Sequence, residues 1–339
     1  MITYQVVIVY NKPRGLQNRW DESDTGVLNE VDQISKALEA LHIKYTKFAI
    51  SSLKEFENIQ DIISSNTIIF NLVEDLPEDY RNAFNKIPDI CKKLRIPCTG
   101  NSTETLELTF DKYLTKKKLI EAGINTPKAL LVEQSSNMST ILPSFPPPWI
   151  VKPRYADGSE GIDSEICFVE NPAKLELATK TVMASFGDVL IEEYIEGREV
   201  NQAIWEFKRE IKLLPLSEID FSLFPRDKKH IVDYKVKWIA GTIPGHISPR
   251  KIPASIDEDL LQKTQKVALE SFIVCKASDY ARVDMRINSK NEVYVLEVNA
   301  NPDISPNAGF TAALAAAKVE FTEFVEKLLL NAIERQKNQ

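Results

Sequence analysis

YARVDMRINSKNEVYVLEVNANPDISPNAGF, residues 280–310, is the stretch from which the fold is read. Two apolar runs flank NSKN (288–291), which predicts a β-hairpin. Side chains alternate along a strand, so Arg282, Asp284 and Arg286 share one face and Val283, Met285 and Ile287 the other. On the partner strand Glu297 and Asn299 share a face, opposite Tyr294, Leu296 and Val298. Pairing then sets Asp284 directly or diagonally across from Glu297, with side chains about 5–8 Å apart. Two carboxylates so close repel unless something neutralises them. Oxygen ligands from Asp284, Glu297 and Asn299 suit a hard divalent cation such as Mg²⁺, with Mn²⁺ as an alternative. The simpler reading is a surface ladder in which Arg282 pairs with an acid. Beyond Asn299 the chain enters a loop whose path is restricted by Pro302 and Pro306.

Three upstream stretches carry charge in patterns that suit a nucleotide. VKPRYADGSEG (151–161) runs from a strand bearing Lys152 into a loop with Gly158, Ser159 and Gly161. Such a loop lets backbone N–H groups approach an anion while the lysine supplies charge, although an ordinary hairpin turn has the same composition. No GK[ST] closes it and no GxGxxG occurs, so neither the P-loop nor the dinucleotide fingerprint applies. VLIEEYIEGREV (189–200) is a strand that ends at Tyr194 and Ile195 and turns at Gly197. Its backbone edge, with Glu192 and Glu199, suits an adenine and a ribose, and a plain charged hairpin is the competing reading. Lys112 lies in TFDKYLTKKKLIEAGI (109–124) among Lys116, Lys117 and Lys118, and on its own reads as part of a solvated helix face.

Working outward, YQVVIVY (4–10) is a continuous apolar run, as in a strand buried on both faces. Residues 27–43 have helical apolar spacing, 44–50 and 67–73 read as strands, and 83–97 reads as a helix up to a bend at Ile96–Pro97. Strands alternating with helices predict a parallel α/β domain over 1–102. Residues 105–124 read as one amphipathic helix closed by Gly123, and 135–149 as a proline-rich connector. Strands are expected at 149–154, 166–170, 188–195 and 200–207, with helices at 172–186 and 259–274. Leu314, Ala317, Phe321, Phe324, Leu328 and Leu329 mark one closing helix. Two further units are expected, 103–190 and 191–335.

Composition narrows the class. The 339 residues are 43% hydrophobic and 27% charged with a net charge of −7, an ordinary globular balance. Interspersed charge of that sign gives no support to a surface for nucleic acid or anionic membrane, while leaving room for a local basic cleft for phosphates. The apolar run at the N-terminus is too short to span a bilayer and has no basic stretch before it, so it reads as a strand and not as a signal peptide. Cys91, Cys98, Cys167 and Cys275 show no paired spacing, and His42, His230 and His246 are scattered. A zinc site is therefore not expected, and the cysteines read as buried free thiols of a cytoplasmic protein.

Together and in this order the motifs resemble the ATP-grasp superfamily, and more closely its D-alanine–D-alanine ligase branch of carboxylate–amine ligases. The resemblance covers about residues 66–330. DKYLTKKKLIEAGINTP, WIVKPR with GSEGI, LIEEYIEGRE, and ARVDMRI with VYVLEVNANP each look like a family element, the last being the most specific. The resemblance implies a parallel α/β domain followed by a two-part ATP-grasp fold. It implies that Lys112 and Lys152 hold ATP phosphates and that Glu192, Tyr194, Ile195 and Glu199 line the adenine and ribose site. Gly158, Ser159 and Gly161 would close over the γ-phosphate, with Asp284, Glu297 and Asn299 on two Mg²⁺ ions. Arg282 would face the transferring phosphate, and Lys237 would lie on a loop over the active site. Asp303, Ser305 and Asn307 would read the acceptor substrate.

The implied reaction joins a small-molecule carboxylate to an amine through an acyl phosphate, with ADP released. A homodimer is also implied. Three departures touch amino-acid recognition and none touches ATP. NKPRGLQNRWDESD (11–24) replaces the family's segment for the first amino acid, with Asp21, Glu22 or Asp24 as substitutes; a Lys-Tyr pair becomes Lys237-Trp238; and Asp303 follows Pro302. An acid at 303 repels a free acceptor carboxylate and favours an ammonium group. The expectation is an ATP-dependent ligase for amino acids or small peptides, with a true D-alanine–D-alanine ligase and a non-catalytic ATP-binding regulator as alternatives.

Overall fold

The computed structural model describes residues 4–14, 21–76, 82–136, 141–226, 228–239, 242 and 249–338. The N-terminal part contains β1 (Gln5–Asn11), α1 (Asp21–Ala40), β2 (Lys44–Ile50), α2 (Leu53–Glu57), β3 (Thr67–Leu72) and α3 (Ile87–Leu94). The strands form a parallel sheet in the order β2-β1-β3. Alternate residues of β1 enter different cores. Val6 and Ile8 pack with α1 and the C-terminal helix, and Val7 and Val9 with the α2 and α3 side. Both faces are buried, which is why the run is continuously apolar. Residues 83–86 are a 3₁₀ turn ahead of α3, and α3 ends at Arg95 in a left-handed conformation, one residue before the expected bend.

The single helix expected over 105–124 is two, α4 (Thr103–Phe110) and α5 (Lys112–Glu121). Asp111 is extended between them, and its carboxylate accepts the N–H groups of Tyr113 and Leu114 at 3.0 and 3.1 Å. A capped N-terminus thus sits where sequence periodicity shows no break.

A four-stranded antiparallel sheet follows, built from β4 (Ala129–Val132), β5 (Trp149–Pro153), β6 (Phe168–Val169) and β7 (Val189–Glu193) in the order β4-β7-β5-β6. The strand expected at 166–170 shrinks to Phe168–Val169, because Asp163 caps the short α6 (Ser164–Cys167) in front of it. Helix α7 (Leu175–Phe186) covers this sheet through Leu175, Ala178 and Val182.

The third sheet has β8 (Arg198–Phe207), β9 (Glu210–Leu213), β10 (Ser217–Ile219), β11 (Arg250–Lys251), β12 (Tyr280–Ile287) and β13 (Val293–Asn299), with α8 (Tyr234–Trp238) and α9 (Glu258–Val274) between strands. Its order is β11-β10-β8-β12-β13, with β9 pairing β8. One face packs on α9 and on Leu119 of α5. The other contributes Ala203, Trp205 and Tyr280 to the core that holds Val6, Ile8 and α1, so one apolar interior joins this sheet to the N-terminal one.

The hairpin register sets Arg282 opposite Asn299 and Asp284 opposite Glu297, after which it shifts so that Met285 faces Val295. Leu296 is the extra residue of a β-bulge. Strict alternation therefore fails on β13. The buried residues are Val293, Val295 and Val298, whereas Tyr294 and Leu296, placed by alternation on the face of Val298, are half-buried. The closing helix is also divided, into α10 (Gly309–Ala316) and α11 (Phe321–Lys337), around Lys318 at a φ of 57°. All four cysteines are free thiols; Cys98 is half-buried where full burial was expected. Among the described residues no helix is long and apolar enough to cross a membrane.

Candidate active site

A cleft of about 470 Å³ opens between the two antiparallel sheets. It is lined by β5 and β7 on one side and by β8, β12 and β13 on the other, with the phosphate-loop candidate, α8 and the loop after β13 at its mouth.

The hairpin places its carboxylates as the sequence predicts. Asp284 and Glu297 stand opposite each other and both line the cleft. Arg282 donates to Asp284 twice, Nε to Oδ1 at 2.7 Å and Nη2 to Oδ2 at 2.8 Å, and Asn201 adds Nδ2 to Oδ1 at 2.8 Å. The Arg–acid pair of the simpler reading exists, but it lies inside the cleft, with Asp284 only 8% exposed. Burial pushes the Glu297 carboxyl up, and Lys112, Lys152, Arg282 and Lys237 together outweigh that and hold it at about 2. Asn299 faces Arg282 across the pair, with its amide oxygen accepting the Asn301 N–H at 3.2 Å. Two opposed carboxylates, one firmly ionised, beside a carboxamide form an all-oxygen donor set that fits a hard divalent cation. Among the described residues no group of three or more His, Cys, Asp or Glu is arranged to hold a metal.

Lysines meet this face from the other wall. Lys112 is buried, not solvated as its neighbours suggested; its Nζ lies 3.4 Å from Glu297 and 3.5 Å from Asp157 and donates to the Ala156 carbonyl. Burial depresses its pKa, and Glu297 and Asp157 more than offset that. Lys152 on β5 contacts Glu192 on β7 at 2.9 Å, and Lys116 reaches the same carboxylate at 3.0 Å. Sequence reading passed over Lys116 because it sits in a lysine run. Its signal was the spacing from Lys112, four residues on and therefore on the same helix face.

At the inner end Glu199 is bound by Arg286, with Nη2 to Oε2 at 2.8 Å and Nε to Oε2 at 3.2 Å. Arg286 also donates to the Ile195 carbonyl at 2.9 Å and lies over the Tyr194 ring, 4.8 Å from its centre. Glu192, Tyr194, Ile195 and Glu199 thus all line the cleft, Glu192 from β7 and Glu199 from β8, each carboxylate already holding a cation.

The glycine-containing loop is tied to α8. The Trp238 indole donates to the Gly158 carbonyl at 2.7 Å, Ser159 donates to the Val232 carbonyl at 2.9 Å, and Tyr234 N–H donates to the Ile162 carbonyl at 3.1 Å. Ser23 of α1 donates to Glu160 at 2.6 Å and its N–H reaches the Tyr234 hydroxyl at 3.2 Å. Gly161 is required by packing, since a Cβ there would lie 2.5 Å from Pro153 Cγ and 2.8 Å from Phe186. Lys237 lines the cleft from α8.

Asp303, Ser305 and Asn307 line the outer end. Asp303 is partly occupied by its own loop, accepting the Ser305 N–H at 2.8 Å. The next N–H, Ile304, donates to Glu30 of α1 at 2.7 Å. Burial and the charges of Glu74 and Asp303 raise Glu30 well above the usual carboxylate range. The side chains of Asp21, Glu22 and Asp24 lie outside the described residues. The acids found near the acceptor loop are instead Glu30 and Glu74. Glu74 follows β3 at the carboxyl end of a parallel strand, where such sheets bind ligands, and that position was the available signal.

Against known proteins, residues 120–330 match the family model described as "D-ala D-ala ligase C-terminus". The D-alanine–D-alanine ligase of Carboxydothermus hydrogenoformans is 32% identical over 259 residues, covering 74% of this chain and 78% of that one. A protein of Sinorhizobium fredii described as uncharacterised is 28% identical over 292 residues, 86% of this chain and 82% of that one. The crystal structure of the D-alanine–D-alanine ligase of Bacillus anthracis complexed with ATP superposes with a TM-score of 0.74 at 18% identity, covering 99% of both chains.

Proposed function

The chain belongs to the D-alanine–D-alanine ligase family and is an ATP-dependent ligase that couples a carboxylate to an amine, and from that premise we propose that it works in the cleft between the two sheets on amino-acid or small peptide substrates that need not be D-alanine. The observation that carries the reading is Asp284 set opposite Glu297 with Lys112 3.4 Å from the latter. Two facing carboxylates, with Glu297 held ionised by the surrounding cations, are arranged for a metal-bound polyphosphate.

In this reading ATP lies with its base against Glu192, Tyr194, Ile195 and Glu199 and its phosphates toward Lys112 and Lys152. Asp284, Glu297 and Asn299 would hold two Mg²⁺ ions, which would neutralise phosphate charge. A substrate carboxylate oxygen attacks the γ-phosphorus, the bond to the β-phosphate oxygen breaks, and ADP leaves. The amine then attacks the acyl carbon, loses a proton, and expels inorganic phosphate. Lys112, Lys152 and Arg282 stabilise the charge that develops on the transferring group. Gly158, Ser159 and Gly161, joined to α8 through Trp238, keep water from the acyl phosphate, with Lys237 above it. No side-chain nucleophile is needed.

The departures at 11–24, Trp238 and Asp303 support substrates other than two D-alanines. The test is ADP release with Mg²⁺ and ATP against D- and L-amino acids and dipeptides, singly and in pairs, with each product weighed by mass spectrometry. One pair should stimulate ADP release and give a mass equal to both substrates less water. Asp284→Asn with Glu297→Gln should abolish release. Turnover of D-alanine alone at ordinary metabolite concentrations would contradict the substrate assignment.

A further inference from the structure

Arg286 is a buried cation of the cleft to which the reaction above gives no task. Strand β12 delivers Arg282, Asp284 and Arg286 on one face, and its rise puts Arg286 roughly 13 Å along the strand from Arg282. Across the β12–β8 pair its direct partner is Glu199. The side chain is 3% exposed, and its guanidinium makes four hydrogen bonds. Nε and Nη2 donate to Glu199 Oε2 at 3.2 and 2.8 Å, Nη1 donates to the Ile195 carbonyl at 2.9 Å, and Nη2 also donates to the His230 carbonyl. The Tyr194 and Phe221 rings lie 4.8 and 5.5 Å from the guanidinium carbon, and the Tyr194 hydroxyl donates to the same His230 carbonyl at 3.2 Å. A group bound on so many sides has no freedom to shift.

The same strand shows two ways for an arginine to hold an acid. Arg282 engages both oxygens of Asp284. Arg286 instead puts two N–H groups on one oxygen of Glu199. Glu199 Oε1 takes no hydrogen bond among the described residues, and Glu199 lines the cleft. An acid fixed through one oxygen presents the other in a set direction. Burial raises the Glu199 pKa, Arg286 opposes that, and Asp284 and Glu297 add to the rise. Arg286 thus also favours the ionised form, which accepts the stronger hydrogen bond from a hydroxyl.

We propose that Arg286 is a positioning residue that fixes Glu199 through Oε2 so that Oε1 accepts a ribose hydroxyl, making the site select ribonucleotides over their deoxy counterparts. The inference rests on the ligase reading of the cleft, in which Glu199 lies at the ribose of ATP. Arg286 does not touch the nucleotide and acts through the carboxylate. A guanidinium suits the task because its rigid fork reaches Glu199, the Ile195 turn and the His230 carbonyl at once, whereas a lysine ammonium is a single point of charge.

The test is calorimetric binding of ADP, 2′-deoxyADP and 3′-deoxyADP with Mg²⁺, conditions under which no turnover occurs. Wild type should bind ADP about tenfold or more tighter than the analogue lacking the bonded hydroxyl. In Arg286→Ala the affinity for ADP should fall to that for this analogue, whose own affinity should change little. Arg286→Lys should keep part of the preference, and it decides the matter by the same comparison if Arg286→Ala does not fold. A merely structural role would weaken all three nucleotides by one factor. The inference is overturned by that result, by a wild type that binds the three alike, or by a preference that survives intact in the variants. Wild type that binds ADP without preference defeats this inference alone, whereas no binding of any of the three defeats the ligase reading beneath it.

Discussion

Lys116 shows how burial changes a residue's chemistry. Burial, offset by Glu192 and reinforced by Lys152, lowers its pKa from 10.5 to about 8. The folded pKa lies below the unfolded one, so the unfolded chain binds more protons between those values, and stability rises with pH across that window. One proton gives at most about 1.4 kcal/mol per pH unit. Lys116→Met should flatten that rise relative to wild type in urea unfolding at several pH values from 8 to 10; an unchanged slope would show that Lys116 does not titrate there. Sequence reading had Lys112 and Lys152 as phosphate ligands by resemblance, yet took Lys112 on its own as solvated. The buried face of α5 is Lys112, Thr115, Lys116 and Leu119, while Leu114 and Ile120 are exposed. The helix is amphipathic the wrong way round, because its polar face meets Glu192, Asp157 and Glu297, acids supplied by distant strands and a loop. Hydrophobic periodicity has no means of showing that.

Elements were legible where one rule sufficed and not where two competed. The apolar runs of β1 and β3 and the alternation along β12 read correctly. The break at Asp111 did not, because its cap works with partners remote in sequence: Arg154 donates to Asp111 at 2.6 and 3.0 Å and Tyr155 at 3.0 Å. Loss of an N-cap costs about 1 kcal/mol, and loss of one partner of a buried ion pair costs more. Asp111→Ala should therefore lower stability in denaturant unfolding by roughly 2–4 kcal/mol and raise the KM for ATP, since Lys112 is the first residue of the helix it starts. Asp111→Asn keeps a capping oxygen and should cost less. Equal losses in both variants, with KM unchanged, would mean that the cap does not position Lys112. The bulge at Leu296 was hidden for a related reason. Period-2 alternation predicts the face of Glu297 and Asn299 but cannot reveal an inserted residue, so it groups Tyr294 and Leu296 with Val298, whereas Val293 and Val295 are the residues buried with it.

At the scale of the molecule the cleft depends on how sheets meet. Asp284 and Glu297 lie close in sequence and could be paired on paper, whereas Lys152 joins them from the four-stranded sheet and Lys112 from α5. The class of chemistry was therefore legible from the hairpin and from motif order. The outer end, with Glu30 and Glu74, was not, since each comes from a different element and neither lies in a motif. The account as a whole requires that a substrate carboxylate be phosphorylated by ATP in this cleft before the amide forms. Once the substrate panel has named the acid, its carboxylate can be labelled with ¹⁸O and the released phosphate weighed. One ¹⁸O atom should appear in inorganic phosphate for each amide made, with ADP as the nucleotide product and none of it in Glu297→Gln. Label retained wholly in the amide and water, or label delivered to AMP, would contradict the account.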